Sequence, residues 1–256
     1  MAFDLIKKEQ KIPNGFYKES ASNSFLYAYS KLNPDKEFKL FLAKEMAGEQ
    51  GATNEYKNDL ENKAGFPPPS KEKKYLLVNY RLSGQANKGV HPCLDTGEEG
   101  MSQILNAVKT IFNEIIIVPV GEFKPYDWDE YPTLVNYWNW PSMQSNRSKQ
   151  VGLLNYIKTS YNVLGVIGMR SGVIDLFALL GFKTISIDRK GERGFKRPYK
   201  TQAALGKDFF RVVEMEYPRE NEKLNSLGDG TVHWKGTIHK KDLEKIISTA
   251  KGFFDT

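Results

Sequence analysis

One segment, residues 163–188, constrains the fold of this chain more than any other. It contains two apolar runs, Val163–Gly168 and Lys183–Asp188, which are rich in β-branched residues and flank a short apolar helix that ends at Gly181. Continuous apolar strands on both sides of a helix are typical of a parallel sheet whose two faces are both covered. The segment therefore predicts a strand, helix and strand unit within an α/β domain.

The turn between the first strand and the helix is predicted to bind a phosphorylated ligand. Arg170, Ser171 and Gly172 form this turn. In open parallel sheets ligands bind at the carboxyl ends of strands, where the N-terminus of a helix offers N–H groups to an anion. The guanidinium of Arg170 adds a planar, permanently charged fork that suits a phosphate. The structural alternative pairs Arg170 with a nearby acid such as Asp188, and we expect Arg170 to lie at the surface.

Strands and helices alternate at short spacing along the rest of the chain. This alternation predicts a doubly wound, mostly parallel α/β sheet of the Rossmann-like type. The predicted strands are Tyr75–Arg81, Glu114–Val120 and Phe210–Glu216, and the predicted helices are Gly100–Phe112, Ser148–Tyr161 and Lys240–Phe254.

The first part of the chain has a different pattern. Three stretches there are compatible with helices, Ser24–Ser30, Glu37–Ala47 and Asn54–Lys63, and no run is typical of a strand. A stiff, polar segment that begins with three prolines at 67–69 follows them. We therefore expect a small helical N-terminal cap or lobe over residues 1–70 and a Rossmann-like domain over residues 71–256.

The composition excludes several classes of protein. A hydrophobic content of 40% with 12% aromatic residues argues against disorder. No apolar stretch approaches the length of a membrane span, and the first residues lack the pattern of a signal peptide. The single cysteine, Cys93, excludes an internal disulfide and fits a reducing compartment. We expect a cytoplasmic protein, or one exported without a classical signal peptide.

The positive charge of the chain is concentrated directly after the predicted strand Lys183–Asp188. The formal net charge is +6, and residues 189–200 contain six cations and one acid. Such a run is consistent with a solvated loop and equally with a loop that covers a ligand. A non-catalytic module that binds nucleic acid or phosphoinositide through this run is therefore an alternative function.

Residues 75–254 resemble the nucleotide-sugar-binding half of GT-B glycosyltransferases, in particular heptosyltransferase-like and fucosyltransferase-like members. The resemblance lies in a strand that ends in Arg81, in the strand, turn and helix of Ile167–Gly181, and in the strand Lys183–Asp188. The chain departs from the family in its first half, which is too short for a full acceptor-binding domain.

The resemblance implies transfer of a sugar from a nucleotide-activated donor to an unidentified acceptor, with no obligatory cofactor or metal. Arg170, Ser171 and Gly172 would hold the donor diphosphate with help from Arg81. Two acids are added to this donor site, because Asp175 lies one turn into the helix and Asp188 ends the following strand. Asp175 would reach a ribose hydroxyl or point at solvent.

The long loop after the strand that ends at Arg81 contains the candidate general base. Such loops often carry the chemistry of α/β enzymes, and a carboxylate or imidazole there can accept the proton of an acceptor hydroxyl. Asp95 and His91 are the candidates. The alternative for Asp95 is that it, or Thr96, caps the next helix.

A second loop follows the strand that ends at Val120. Glu122, at the strand end, and Trp138 are predicted contacts for the base or sugar, and packing beneath the loop is the alternative for Trp138. Asp127 and Asp129 spell Asp-x-Asp, but a solvated acidic loop is favoured, so no metal ligand is predicted. An enzyme that acts on another phosphorylated nucleotide is a further alternative, although the glycine motifs of dinucleotide sites and ATPase loops are absent.

Overall fold

The computed structural model describes most of the chain after residue 52. The helices predicted at Ser24–Ser30 and Glu37–Ala47 lie outside the described residues. The structure describes residues 53–81, 96–112, 114–121, 132–144, 147–190, 196–217, 220–226 and 232–254.

A six-stranded, all-parallel sheet forms the centre of the fold, in the order β3-β2-β1-β4-β5-β6. This is the strand order of a doubly wound Rossmann-like sheet. The predicted fold class is therefore confirmed. The strands are β1 (Lys74–Tyr80), β2 (Ile115–Gly121), β3 (Leu134–Val135), β4 (Asn162–Met169), β5 (Thr184–Arg189) and β6 (Phe210–Met215).

Helices cover both faces of this sheet. The first, third, fourth and fifth helices contribute to the core on one face, and the second and sixth pack on the other. Successive residues of a strand point to opposite faces, so Leu77 belongs to the first core and Val78 to the second. This explains why the strands are apolar along their whole length. The helices are α1 (Thr53–Ala64), α2 (Glu98–Ile111), α3 (Arg147–Ser160), α4 (Gly172–Leu179), α5 (Lys196–Leu205) and α6 (Lys240–Phe254).

The segment before β1 shares the core of the sheet. Tyr56 and Leu60 of α1 are buried in the first core, and the ring of Phe66 stacks on that of Tyr75 in β1. The Tyr161 hydroxyl donates to the Pro67 carbonyl at 3.1 Å, which fastens the proline segment to the start of β4. Residues 53–67 thus pack as part of the sheet domain.

Two glycines allow β4 to lie close to its neighbours. A Cβ on Gly168 would come within 2.7 Å of Asn79 in β1, and a Cβ on Gly165 within 2.3 Å of the Lys183 carbonyl oxygen beside β5. Real Cβ atoms do not approach other atoms so closely, so both positions require glycine. They determine how tightly the centre of the sheet packs.

Three regions of the chain differ from the sequence prediction. Residues 220–226 and 232–237 pair as an antiparallel hairpin, β7 (Glu220–Ser226) and β8 (Val232–Thr237), which was not predicted. The two-residue strand β3 was also missed. The basic run 189–200 is not one loop, because Arg189 ends β5 and residues 196–200 begin α5. Pro198 is compatible with that helix because it lies in the first turn, where its missing N–H is not needed.

None of the helices in the described part of the chain combines the length and apolar character that a bilayer span requires.

Candidate functional site

The strand order of the sheet reverses between β1 and β4. On one side β2 and β3 continue outward from β1, and on the other β5 and β6 continue outward from β4. Doubly wound sheets bind ligands at this switch point, outside the carboxyl ends of the strands. Arg81 directly follows β1 and Arg170 directly follows β4. The fold therefore places the two predicted phosphate-binding arginines side by side at the switch point.

Arg81 is held by three hydrogen bonds, two with Thr96 and one with Arg170. Its backbone N–H donates to the Thr96 hydroxyl at 3.0 Å, and its carbonyl accepts from the Thr96 N–H at 3.1 Å. Its guanidinium Nη1 donates to the Arg170 carbonyl oxygen at 2.5 Å. Arg81 as a whole remains partly exposed, and its guanidinium reaches across the switch point to the end of β4.

Thr96 has a different role from the one predicted. It was a candidate cap for the helix that follows, but α2 starts after Gly97 and has no side-chain cap. Thr96 is fully buried and instead fastens the end of β1. The alternative in which Thr96 caps the helix was therefore wrong.

Arg170 is buried and ion-paired. Its Nη1 donates to Asp188 Oδ2 at 3.2 Å, with only 5% of the Arg170 side chain and none of Asp188 exposed. The expectation of a surface arginine was wrong, because Arg170 directly follows β4, Asp188 lies near the end of the adjacent strand β5, and the two side chains meet in the interior. The other oxygen of Asp188, Oδ1, accepts the N–H of Arg189 at 2.8 Å. Both predicted donor-site residues are thus brought together, with Asp188 fixing Arg170.

The N-terminus of α4 opens beside these arginines. Ser171 has an extended backbone and is the N-cap, since its Oγ accepts the Ile174 N–H at 3.2 Å. The first two helical N–H groups, of Gly172 and Val173, make no hydrogen bond to any residue that the structure describes. Gly172 is exposed, and a Cβ there would meet no described atom within 4 Å. Two N–H groups and the positive end of the helix therefore face an accessible space.

Asp175 lies within the first turn of α4 and is 6% exposed. The alternative that it points at solvent was therefore wrong. Its N–H donates to the Ser171 carbonyl at 3.3 Å, as expected for a helix start. Asp175 therefore belongs to the buried first turn of α4, where the N–H groups of a helix favour an acidic side chain.

The remaining predicted site residues are not brought to this point by the described part of the fold. His91, Asp95, Glu122, Asp127 and Asp129 all lie outside the described residues. Trp138 lies in a 3-10 helix, Tyr137–Asn139, just after β3, on the opposite side of β1 from β4. It is half-buried against the first core and meets the Tyr137 ring edge-on, so packing against that core accounts for it.

No protein family model, curated protein or solved structure matches this chain. Within the described ranges, no cluster of three or more His, Cys, Asp or Glu side chains is arranged to hold a metal ion.

Sequence reasoning missed a second pair of residues on the same face of the sheet. The Tyr199 hydroxyl in α5 donates to the carboxylate of Glu214 in β6, and Glu214 is the strand partner of Asp188. Burial raises the pKa of Tyr199, and the hydrogen bond to Glu214 and the charges of Glu214 and Asp188 raise it further. The phenol is thus kept protonated. Tyr199 stood within the basic run, but nothing in the sequence indicated that a helix would place it here.

Proposed function

We propose that this protein binds a nucleoside diphosphate at the switch point, as the leaving group of a nucleotide sugar, and transfers the sugar to an acceptor. The observation that carries the proposal is the hydrogen bond from the Arg81 guanidinium to the Arg170 carbonyl, which fixes a cation directly beside the N-terminus of α4. A diphosphate there would accept hydrogen bonds from Arg81 and from the N–H groups of Gly172 and Val173.

The two arginines have different roles in this proposal. The charge of Arg170 faces a buried carboxylate, so its side chain serves to position the turn while its carbonyl holds Arg81. Arg81 is the residue that contacts the ligand. This division departs from the sequence prediction, in which Arg170 contacts the diphosphate and Arg81 assists.

The Arg81 guanidinium and the N–H groups at the start of α4 would both favour departure of a diphosphate. In the transfer, the acceptor oxygen forms a bond to the anomeric carbon while the bond from that carbon to the diphosphate oxygen breaks. Negative charge grows on the diphosphate as this bond breaks. A fixed guanidinium with two oriented N–H groups therefore stabilises the transition state more than the ground state. The acceptor proton goes to a general base, for which Asp95 and His91 remain the predicted candidates.

Direct binding measurements test the proposal. We expect calorimetry to detect saturable binding of inorganic pyrophosphate and of at least one of UDP, GDP, ADP and CDP. Arg81→Ala removes a charge-assisted hydrogen bond of about 1.5–3 kcal/mol, so the affinity falls about ten- to a hundredfold, with Arg81→Lys intermediate. The nucleotide that binds is then offered as its sugar derivatives with a panel of acceptors, and transfer is followed by release of the nucleoside diphosphate.

Arg211→Ala is the matched control. Arg211 is a partly exposed arginine at the start of β6, and its guanidinium lies 4.7 Å from the centre of the Phe253 ring. The start of β6 lies at the opposite end of the sheet from the switch point. Removal of the Arg211 side chain should therefore leave the affinity for pyrophosphate and nucleotide unchanged. Equal losses for Arg81→Ala and Arg211→Ala would indicate general attraction to a basic surface and would overturn the proposal.

A further inference from the structure

Few large apolar side chains are exposed among the described residues, and two of them are tyrosines near the carboxyl end of β6. Tyr199, in the first turn of α5, is 37% exposed, and Tyr217, two residues after β6, is 39% exposed. Exposed aromatic rings beside a ligand crevice are common platforms for stacking. The two tyrosines differ in the face of the sheet on which they lie, and only one of them lies on the face of the candidate site.

Tyr199 lies on the face that carries the Arg170–Asp188 pair. Its hydroxyl bonds to Glu214, and Glu214 lies opposite Asp188 in the pairing of β5 and β6. Asp188 in turn binds Arg170 at the end of β4. Tyr217 lies on the other face, where its ring stacks on His239 with centroids 4.4 Å apart and its N–H donates to Asp242 of α6.

Tyr199 is also held in a fixed orientation. The hydrogen bond to Glu214 restrains the ring through its hydroxyl, and the first turn of α5 restrains it through the backbone. A ring that is already ordered loses little conformational entropy when a second ring stacks on it. Tyr199 can therefore contribute affinity at low entropic cost.

The spacing of the strands fits a ligand that extends from α4 to Tyr199. Neighbouring strands lie about 4.8 Å apart, so the ends of β4 and β6 are separated by roughly 10 Å. A ribose and its first phosphate bridge a separation of this order between a base and a terminal phosphate. We propose that Tyr199 is the stacking platform for the base of a nucleotide whose diphosphate lies at the N-terminus of α4.

This inference rests on the proposed function and narrows it to ligands that contain an aromatic base. A sugar phosphate or pyrophosphate would use Arg81 and the α4 N–H groups alone. A nucleotide would add the ring of Tyr199. The protein should therefore bind a nucleoside diphosphate more tightly than inorganic pyrophosphate, and the difference should depend on Tyr199.

Calorimetry with four variants tests this dependence, using pyrophosphate and the tightest of UDP, GDP, ADP and CDP as probes. Stacking of a base on an aromatic side chain corresponds to about a five- to hundredfold change in affinity. We expect Tyr199→Ala to weaken nucleotide binding by such a factor and to leave pyrophosphate binding unchanged. Tyr199→Phe keeps the ring and should retain most of the nucleotide affinity. Tyr217→Ala, matched in exposure but on the other face, should bind both probes as the wild type does, and Arg81→Ala should weaken both.

The outcomes separate the two proposals. If pyrophosphate binds in an Arg81-dependent manner but the nucleotide is bound no more tightly, or Tyr199→Ala weakens both probes equally, the stacking inference is overturned and the proposed function stands. If neither probe binds the wild type, both are overturned. If Tyr199→Ala unfolds at the same temperature as the wild type and Tyr199→Phe retains nucleotide binding, loss of the fold is excluded as the cause of weaker nucleotide binding by Tyr199→Ala.

Discussion

Arg170 and Asp188 form an ion pair, with 3.2 Å between Nη1 and Oδ2, at the ends of two adjacent parallel strands in the interior of the protein. A buried charge without its partner is costly, whereas removal of both charges is often tolerated. The pair thus links the stability of the fold to the turn in which the candidate anion site begins. Stability and ligand affinity should respond to different substitutions at this turn.

Arg170→Met should lower the free energy of unfolding by about 3–5 kcal/mol, because it leaves the Asp188 carboxylate buried and unbalanced. The double variant Arg170→Met/Asp188→Asn should lose less, since it removes both charges and keeps an oxygen for the Arg189 N–H. Urea denaturation measures both. The folded fraction of Arg170→Met should still bind pyrophosphate, because the backbone carbonyl that holds Arg81 remains. Equal destabilisation by the single and double variants would show that the unpaired charge of Asp188 is not the cause of the loss.

Gly172→Ala should separate ligand binding from stability. The new methyl group meets no described atom within 4 Å, and alanine favours a helix, so the unfolding free energy should stay the same or rise by up to about 1 kcal/mol. Because Cβ atoms tilt toward the N-terminus of a helix, the methyl group would project toward the anion and weaken pyrophosphate binding. Gly252→Ala in α6, also exposed and in open space, is the control and should leave binding unchanged. Binding equal to wild type in Gly172→Ala would place the anion elsewhere.

Tyr75 and Tyr161 offer a matched test of hydrogen bonding in the core. Their rings meet edge-on at 5.2 Å, but only the Tyr161 hydroxyl has a partner in the described structure, the Pro67 carbonyl. Tyr75→Phe should therefore keep or raise the unfolding free energy by about 1 kcal/mol, whereas Tyr161→Phe should lower it by about 1 kcal/mol. Chemical denaturation compares the two. The same sign for both substitutions would contradict this difference.

Lys158 should make stability depend on pH in the alkaline range. Burial lowers the pKa of Lys158, whose amino group donates to the Leu180 carbonyl at the end of α4. Between the folded pKa and the ordinary value of about 10.4, the unfolded chain binds more protons than the folded one, so stability rises with pH. The wild type should therefore gain stability relative to Lys158→Met as the pH rises from the lowered folded pKa toward the ordinary lysine pKa. A constant difference across that range, measured by urea unfolding at each pH, would argue against the effect.

The central strands and most of their helices could be predicted from the sequence because burial on both faces leaves a continuous apolar run. Residues 162–169 and 184–189 are examples. The glycine stop of α4 was also predictable, since Gly181 has φ of 80°, which other residues rarely adopt. The hairpin of residues 220–226 and 232–237 was not, because its first strand, Glu-Asn-Glu-Lys-Leu-Asn-Ser, has no alternation of apolar and polar residues.

The candidate site could be located from the sequence only in part. The turn at Arg170 was identified from its position between a strand and a helix. The burial of that arginine depends on Asp188, 18 residues away, and on the order of the strands, which an alternating pattern does not specify. The contacts of Arg81 with Thr96 likewise depend on where a long loop returns to the sheet.

The brevity of α4 has a practical consequence for finding the ligand. Eight residues are too few for a helix to persist alone in water, and α4 exists because Ile174, Phe177 and Ala178 are buried against the sheet. The unfolded chain therefore has no equivalent of its N-terminal N–H groups, and a molecule that binds them must favour the folded chain by mass action. At a concentration about one hundred times its Kd, such a molecule adds roughly 2.7 kcal/mol to stability. A library of metabolites can consequently be screened by the rise in melting temperature before any reaction of the protein has been observed.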